Sequence, residues 1–257
     1  MTWSGLLRQF KGILKDTASE GGPCTLGYMT SISRHVAVGA ATLLALPLVC
    51  AALPALGHGA EDTKTASQIF ADASAAMEQI SSFHVVGSVQ SQGTTVTVNL
   101  SLGHGKGGGT IGLPGVTMDM VLGGGFVYIK ADKQSWLKLT GSKSTAALVA
   151  GRWIKASVTS SDFGDFAQLA DSKQFITGLK SQGALTRLPG TYTWDGHKSV
   201  VIEDSTHSEL YIADTGTPYM LYLESPSKGK SGSITFADFG DAPIPAVPEK
   251  SITLPGV

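Results

Sequence analysis

The strongest constraint on this chain is a repeated alternation of apolar and polar residues, cut at short intervals by glycine. In Thr95–Leu102, Val96, Val98, Leu100 and Leu102 alternate with Thr95, Thr97, Asn99 and Ser101. Val116, Met118, Met120 and Leu122 alternate likewise with Thr117, Asp119 and Val121. Successive side chains of a strand point to opposite faces, so each stretch reads as a strand with one apolar and one mostly polar face. The separators are Gly103–Gly109, Gly123–Gly125 and Ala131-Asp132-Lys133. Connections this short join antiparallel neighbours, because parallel pairs need a long crossover. The pattern predicts a meander of Phe83–Gln90, Thr94–Leu102, Thr110–Leu113, Val116–Leu122, Phe126–Ala131 and Ser135–Leu139. A second set follows Gly183: Leu185–Leu188, Tyr192–Asp195, Lys198–Glu203, Glu209–Ala213, Tyr219–Glu224 and Ser233–Phe239.

Helical spacing interrupts this pattern. In Glu61–Ser82, Ile69, Ala73, Met77 and Ile80 form one apolar stripe with Phe70 and Ala76 on its shoulder. Asp62, Thr63 or Thr65 would cap it. Asp162–Lys180 returns to the helical period through Phe166, Leu169, Ile176 and Leu179, with Asp162 or Asp165 as its cap. Between the meanders, Thr145–Gly151 reads as a short helix or loop and Arg152–Ala156 as a brief extended segment. The tail Ala242–Val257 carries four prolines, so it is extended and runs along an edge. These elements assemble most economically as an α+β fold, one long antiparallel sheet with helical insertions.

Ahead of this body lies Val36–Leu56, 21 residues without a charge, preceded by Arg34 and His35 and followed by small residues. A basic flank, an apolar core and a small-residue exit make an export signal. Three fates fit it. Cleavage after Gly57 uses Ala55 and Gly57 as the small residues and frees a chain starting at His58. Lipidation would use Cys50, although Val49 is larger than the residue a lipobox places before its cysteine. An uncut run is long enough to span a bilayer, for which about 20 residues suffice. All three place the body outside the cytoplasm. Met29 begins a short charged start of its own, which makes it a second candidate for the first residue. The expected organisation is residues 1–57 as tail and signal or anchor, and 58–257 as a single domain.

The 58–257 body carries 15 basic and 18 acidic residues without a basic stripe, so nucleic acid is not the expected partner. Both cysteines, Cys24 and Cys50, precede it, leaving no disulfide, thiol nucleophile or thiolate ligand. The motifs that match by letter fail in context. Gly103–Gly108 spells G-x-G-x-x-G but runs into another strand rather than a helix, and reads as a hairpin turn. Asp162-Phe163-Gly164 and Asp238-Phe239-Gly240 lack the rest of a kinase set, and Ser225–Lys228 lacks the partners of an S-x-x-K serine. His84, His104, His197 and His207 are scattered without metal-ligand spacing. The expectation is therefore no enzyme, no metal and no cofactor.

The order helix, meander, central helices, second meander resembles the LolA-like half-barrel, and more closely the LppX/LprA/LprF/LprG family of envelope lipoproteins. The resemblance is carried by Ala66–Ser82 running into Phe83-His84-Val85, and by Phe126–Ile129 followed by Trp136–Leu139. Arg152-Trp153-Ile154 and the closing segment Gly232–Gly240 extend it, over about residues 61–255 in all. It implies a curved sheet with helices on its concave face, enclosing an apolar cavity for acyl chains. It also implies a membrane-associated protein that binds or transfers lipids or lipoproteins in the cell envelope. Ile69, Met77, Val96, Val98, Leu100, Val116, Met118, Met120, Phe126 and Tyr128 are the expected cavity residues. Met77, Met118, Met120 and Met220 offer side chains that adapt to variable chains. An RseB-like envelope sensor with a protein partner is the alternative, and a secreted hydrolase a third.

Overall fold

The computed structural model describes residues 61–91, 94–160, 164–179, 184–225 and 231–253. Val36–Leu56, Cys50 and Gly57 lie outside the described residues. After a 3-10 turn at Glu61–Thr63 come helix α1 (Ala66–Gln79) and strands β1 (Ser82–Ser91), β2 (Thr94–Gly103), β3 (Lys106–Leu113), β4 (Val116–Gly123) and β5 (Phe126–Ala131). Helices α2 (Lys133–Thr140) and α3 (Lys143–Val149) lead to β6 (Ile154–Ser157), and α4 (Gly164–Ala170) and α5 (Ser172–Leu179) follow. Strands β7 (Leu185–Arg187), β8 (Tyr192–Trp194), β9 (His197–Asp204), β10 (Glu209–Ala213), β11 (Met220–Ser225) and β12 (Gly232–Ala237) form the second meander. The short β13 (Ile252–Thr253) ends the described chain.

All described strands share one sheet, in the order β13-β6-β5-β4-β3-β2-β1-β12-β11-β10-β9-β7. Strand β8 pairs with β9 beside β7. Every pairing is antiparallel except β13 on β6. The result is a curved, unclosed half-barrel of α+β class, as the sequence predicts. The two meanders meet where β1 pairs with β12, His84 opposite Ala237 and Val85 opposite Phe236. Over this seam, Phe83 of β1, Phe236 of β12 and Phe175 of α5 form a ring cluster with centroids 6.1 to 6.4 Å apart. Phe83 and Phe175 are fully buried. The seam is thus closed by backbone hydrogen bonds in the sheet and by aromatic burial against a helix.

Helices α1, α2, α3 and α5 start where a side chain satisfies their first amides. Thr65 caps α1 in a reciprocal capping box with Gln68, and Ile69, Ala73 and Met77 of the predicted stripe are buried. One prediction is overturned here: Ser135–Leu139 is not a strand but lies in α2. Asp132 accepts the Ser135 amide at 2.6 Å, and Gly141 closes the helix in the left-handed conformation at φ 66°. These two caps outweigh the apolar spacing of Trp136, Leu137 and Leu139. The predicted helix over Asp162–Lys180 divides into α4 and α5 at Asp171, and its expected caps lie outside the described side chains.

Asp171 joins the helices to the sheet. Its Oδ1 accepts the Gln174 amide at 2.8 Å and so caps α5, while Oδ2 accepts the Gly105 amide at 2.7 Å from the β2–β3 turn. Its backbone forms a bridge with Gly103. The glycine motif at 103–108 is therefore a hairpin turn, and it serves as the docking point for a helix junction. Beyond β12, the Gly240 amide donates to the Ser82 carbonyl, Val247 rests against Gly123, and the Ile252 amide donates to the Trp153 carbonyl. The proline-rich tail thus crosses from the seam to the β6 edge, extended as expected.

Two outcomes follow from these caps. Asp171→Ala loses a cap and a charge-assisted bond, and urea denaturation should show a loss of about 2–3 kcal/mol, with Asp171→Asn losing about half. Asp132 is held below its usual 3.8, chiefly by the hydrogen bond from the Ser135 amide. A lowered folded-state value means its contribution is complete above 3.8 and lost as the pH falls through the folded value. The stability gap between wild type and Asp132→Ala should therefore be constant at neutral pH and close below pH 3.8.

Candidate functional site

The register of the sheet fixes which residues share a face. One continuous row runs across the concave side through Ala131, Met118, Ile111, Val98, Gly87, Ile234, Leu223, Leu210 and Ile202 to Arg187. A second passes through Ile154, Ile129, Met120, Gly109, Leu100, Val85 and Phe236. The apolar side chains of both rows, with Ile69 and Met77 of α1, belong to one buried cluster. Helices α1, α4 and α5 cover it, α4 lying over β2 to β5. The candidate site is the apolar layer between the concave sheet face and helices α1, α4 and α5.

Eight of the ten predicted cavity residues meet there: Ile69, Met77, Val96, Val98, Leu100, Val116, Met118 and Met120, each at most 6% exposed. Phe126 and Tyr128 do not. Tyr128 stands opposite Val121 and Lys155, and Phe126 opposite Gly123 and Ser157, all on the convex face. There the Lys155 ammonium sits 3.7 Å from the Phe126 ring centroid. The concave residues of β5 are instead Val127, Ile129 and Ala131. Both faces of this strand are apolar by composition, so alternation alone does not assign them. Lys130 carries the missing signal, since it shares parity with Phe126 and Tyr128.

Close approach replaces side-chain packing at one point of the layer. A Cβ on Gly107 would collide with the Ala170 carbonyl at the end of α4, so glycine there lets the helix settle directly on β3. All four methionines of the predicted set, Met77, Met118, Met120 and Met220, are buried in this layer. The convex face is different. On its second half Trp194 stacks on Tyr222 at 3.6 Å, with Tyr192 and Tyr211 alongside. Burial and a hydrogen bond to Glu209 push the Tyr211 hydroxyl up to about 12, so it stays a neutral donor. A cleft of about 250 Å³ opens near β4 and β5, lined by Thr117, Asp119, Lys130, Ala131, Asp132 and Gly151. Of its two carboxylates, Asp132 is already engaged as the cap of α2.

Of the four histidines singled out in the sequence, His84, His104 and His207 are tied up locally and His197 is exposed at the start of β9. His84 lies 2.8 Å from Asn99 and 3.4 Å from Asp238, His104 3.0 Å from the Glu78 carbonyl, and His207 2.9 Å from Glu203. Asp238-Phe239-Gly240 forms a turn in which Phe239 stacks on Tyr219. Ser225 is buried at the end of β11 and accepts the Ser208 hydroxyl. Among the described residues, no three His, Cys, Asp or Glu side chains are grouped to hold a metal ion.

No family model and no curated protein matches this sequence. The chain is similar in fold to solved structures of the LppX/LprF type of LolA-like protein. LprF from Mycobacterium bovis is 16% identical over 70% of this chain and 96% of its own, with a TM-score of 0.48. The Mycobacterium tuberculosis lipoprotein LppX is 12% identical over 68% and 96%, with a TM-score of 0.42. A LolA superfamily protein from Nitrosomonas europaea is 10% identical over 71% and 96%, with a TM-score of 0.26.

The assignment of faces is open to a paired measurement. Met120→Ala removes a fully buried concave side chain and should cost about 2–5 kcal/mol in chemical denaturation. Phe126→Ala, on the half-exposed convex side, should cost clearly less despite deleting a larger group.

Proposed function

We propose that the body binds the acyl chains of a lipid or lipidated ligand between the concave sheet face and helices α1, α4 and α5, and carries or presents that ligand outside the cytoplasm. The observation that supports this most is the apolar face, which extends over both meanders and is covered by helices α1, α4 and α5. Such a face offers the length of apolar contact that long hydrocarbon chains require. The sheet side of the layer is fixed by its hydrogen-bond ladder. The helix side is lighter: α4 and α5 are pinned to the β2–β3 turn through Asp171, and α4 has glycine rather than a side chain beneath its end. Outward movement of α4 about this pin would open the layer while leaving the ladder and the Phe175 contact of α5 over the seam intact. Methionines at 77, 118, 120 and 220 suit such use, because their unbranched thioethers repack around ligands of varying shape.

The apolar run Val36–Leu56 supports an extracytoplasmic, membrane-proximal setting for this activity. Acylation at Cys50 would tether the carrier, cleavage after Gly57 would free it, and an uncut run would fix it in the bilayer.

Native mass spectrometry of the exported protein should recover co-purifying lipid, and the delipidated protein should take up a fluorescent fatty acyl probe. Leu100→Trp fills the middle of the concave face and should reduce uptake at least tenfold while circular dichroism stays sheet-like. Absence of both co-purifying lipid and probe uptake, with a protein partner recovered on the convex face, would favour the sensor reading instead.

A further inference from the structure

The longer concave row ends in a residue that does not belong in an apolar core. From Ala131 to Ile202 every member is apolar or glycine, and the next position, opposite Ile202, is Arg187. The register puts Arg187 on the ligand side of the sheet, while its neighbour Thr186 is exposed on the other side. Arg187 is part-buried, and its Nε is inaccessible and meets no acceptor. No described carboxylate pairs with it. Its position is also distinctive, since β7 occupies the free edge of the sheet and α1 packs beside it. An uncompensated guanidinium at the open rim of an apolar track is the complement of one kind of molecule. That molecule has a long hydrocarbon part and a compact anionic end.

We propose that Arg187 is the head-group residue of the site described above, selecting amphiphiles that end in a carboxylate or phosphate. The inference rests on the acyl-binding reading and adds the charge of the ligand and the direction in which it lies. The hydrocarbon runs along the concave face toward β4 and β5, and the anion stays at the β7 edge. A guanidinium suits this role because its fork of donors meets planar or tetrahedral oxyanions through two hydrogen bonds and stays charged at any physiological pH. A competing structural role exists, since an inward-pointing charge on an edge strand also discourages edge-to-edge association. That role predicts aggregation on mutation and indifference to the ligand's head group.

The test compares a fluorescent long-chain carboxylic acid with its methyl ester on the intact protein. Wild type should bind the acid about tenfold or more tightly than the ester, as a charge-assisted hydrogen bond allows. Arg187→Gln should remove this preference by weakening the acid alone, and Arg187→Lys should retain part of it. Equal binding of acid and ester by wild type, or a preference that survives Arg187→Gln, overturns the role of Arg187 and leaves acyl binding standing. Binding of neither probe overturns both. Inorganic phosphate separates the remaining sources of the anion: if it fails to displace the acid, the amphiphile is the ligand, and if phosphate alone displaces it fully, the site takes a free anion and the proposal fails.

Discussion

The burial of phenylalanine rings over the β1–β12 seam is the contact on which the remaining structure depends. Each meander could pair its own strands through short turns, but neither meander alone covers its apolar face. Joining them requires strands from opposite ends of the body to meet. Phe83 and Phe236 bring one ring each from the two sides of that seam, and Phe175 brings the helix that covers it. Edge-to-face packing of this kind adds about 0.5–1.5 kcal/mol per pair beyond the area buried. Once the seam is closed, the register propagates outward in both directions. It sets the concave row, the position of α4 over Gly107 and the placement of Arg187 at the rim.

The division of labour between the two faces follows from this. The concave face is nearly uniform, apolar from β6 to β9, and its polar content is confined to the margin. The convex face is heterogeneous, with aromatic stacks, a cation over the Phe126 ring and the tail lying across Gly123. Uniformity suits a ligand held by hydrocarbon, for which any point of contact is equivalent and sliding costs little. In the proposed binding mode Arg187 would supply orientation that an apolar surface cannot provide by itself, while the buried Asp204 carboxylate on the same margin is engaged by Thr206 and Ser208.

Most of the strands were legible because their alternation had only one good reading. Val96–Leu102 places apolar and polar groups on opposite faces, Val116–Leu122 does so except at Val121, and the structure repeats that division. Where both parities were apolar, as in Phe126–Ala131, the pattern could not choose a face. Ser135–Leu139 misled for a related reason: Trp136, Leu137 and Leu139 fit either period in so short a window, and the decision lay in Asp132 and Gly141 at its ends. Asp171 was missed as a cap because the helical spacing continues across it without a break. Arg187 carried no local signal at all. Its significance comes from standing opposite Ile202 at the end of a row assembled from nine other strands, and such a row exists only after folding.

The pairing of β12 with β1, and of β13 with β6, has a consequence for how the protein is made. Synthesis delivers β1 and β6 long before their final partners, β12 and β13, exist. Until β12 emerges, the first meander carries an open β1 edge and an uncovered apolar face, and its β6 edge lacks β13. Such species attract other chains, since unpaired edges and apolar surface drive aggregation. Contacts this remote in sequence also form slowly. The chain therefore gains from staying unfolded until its last strands are available.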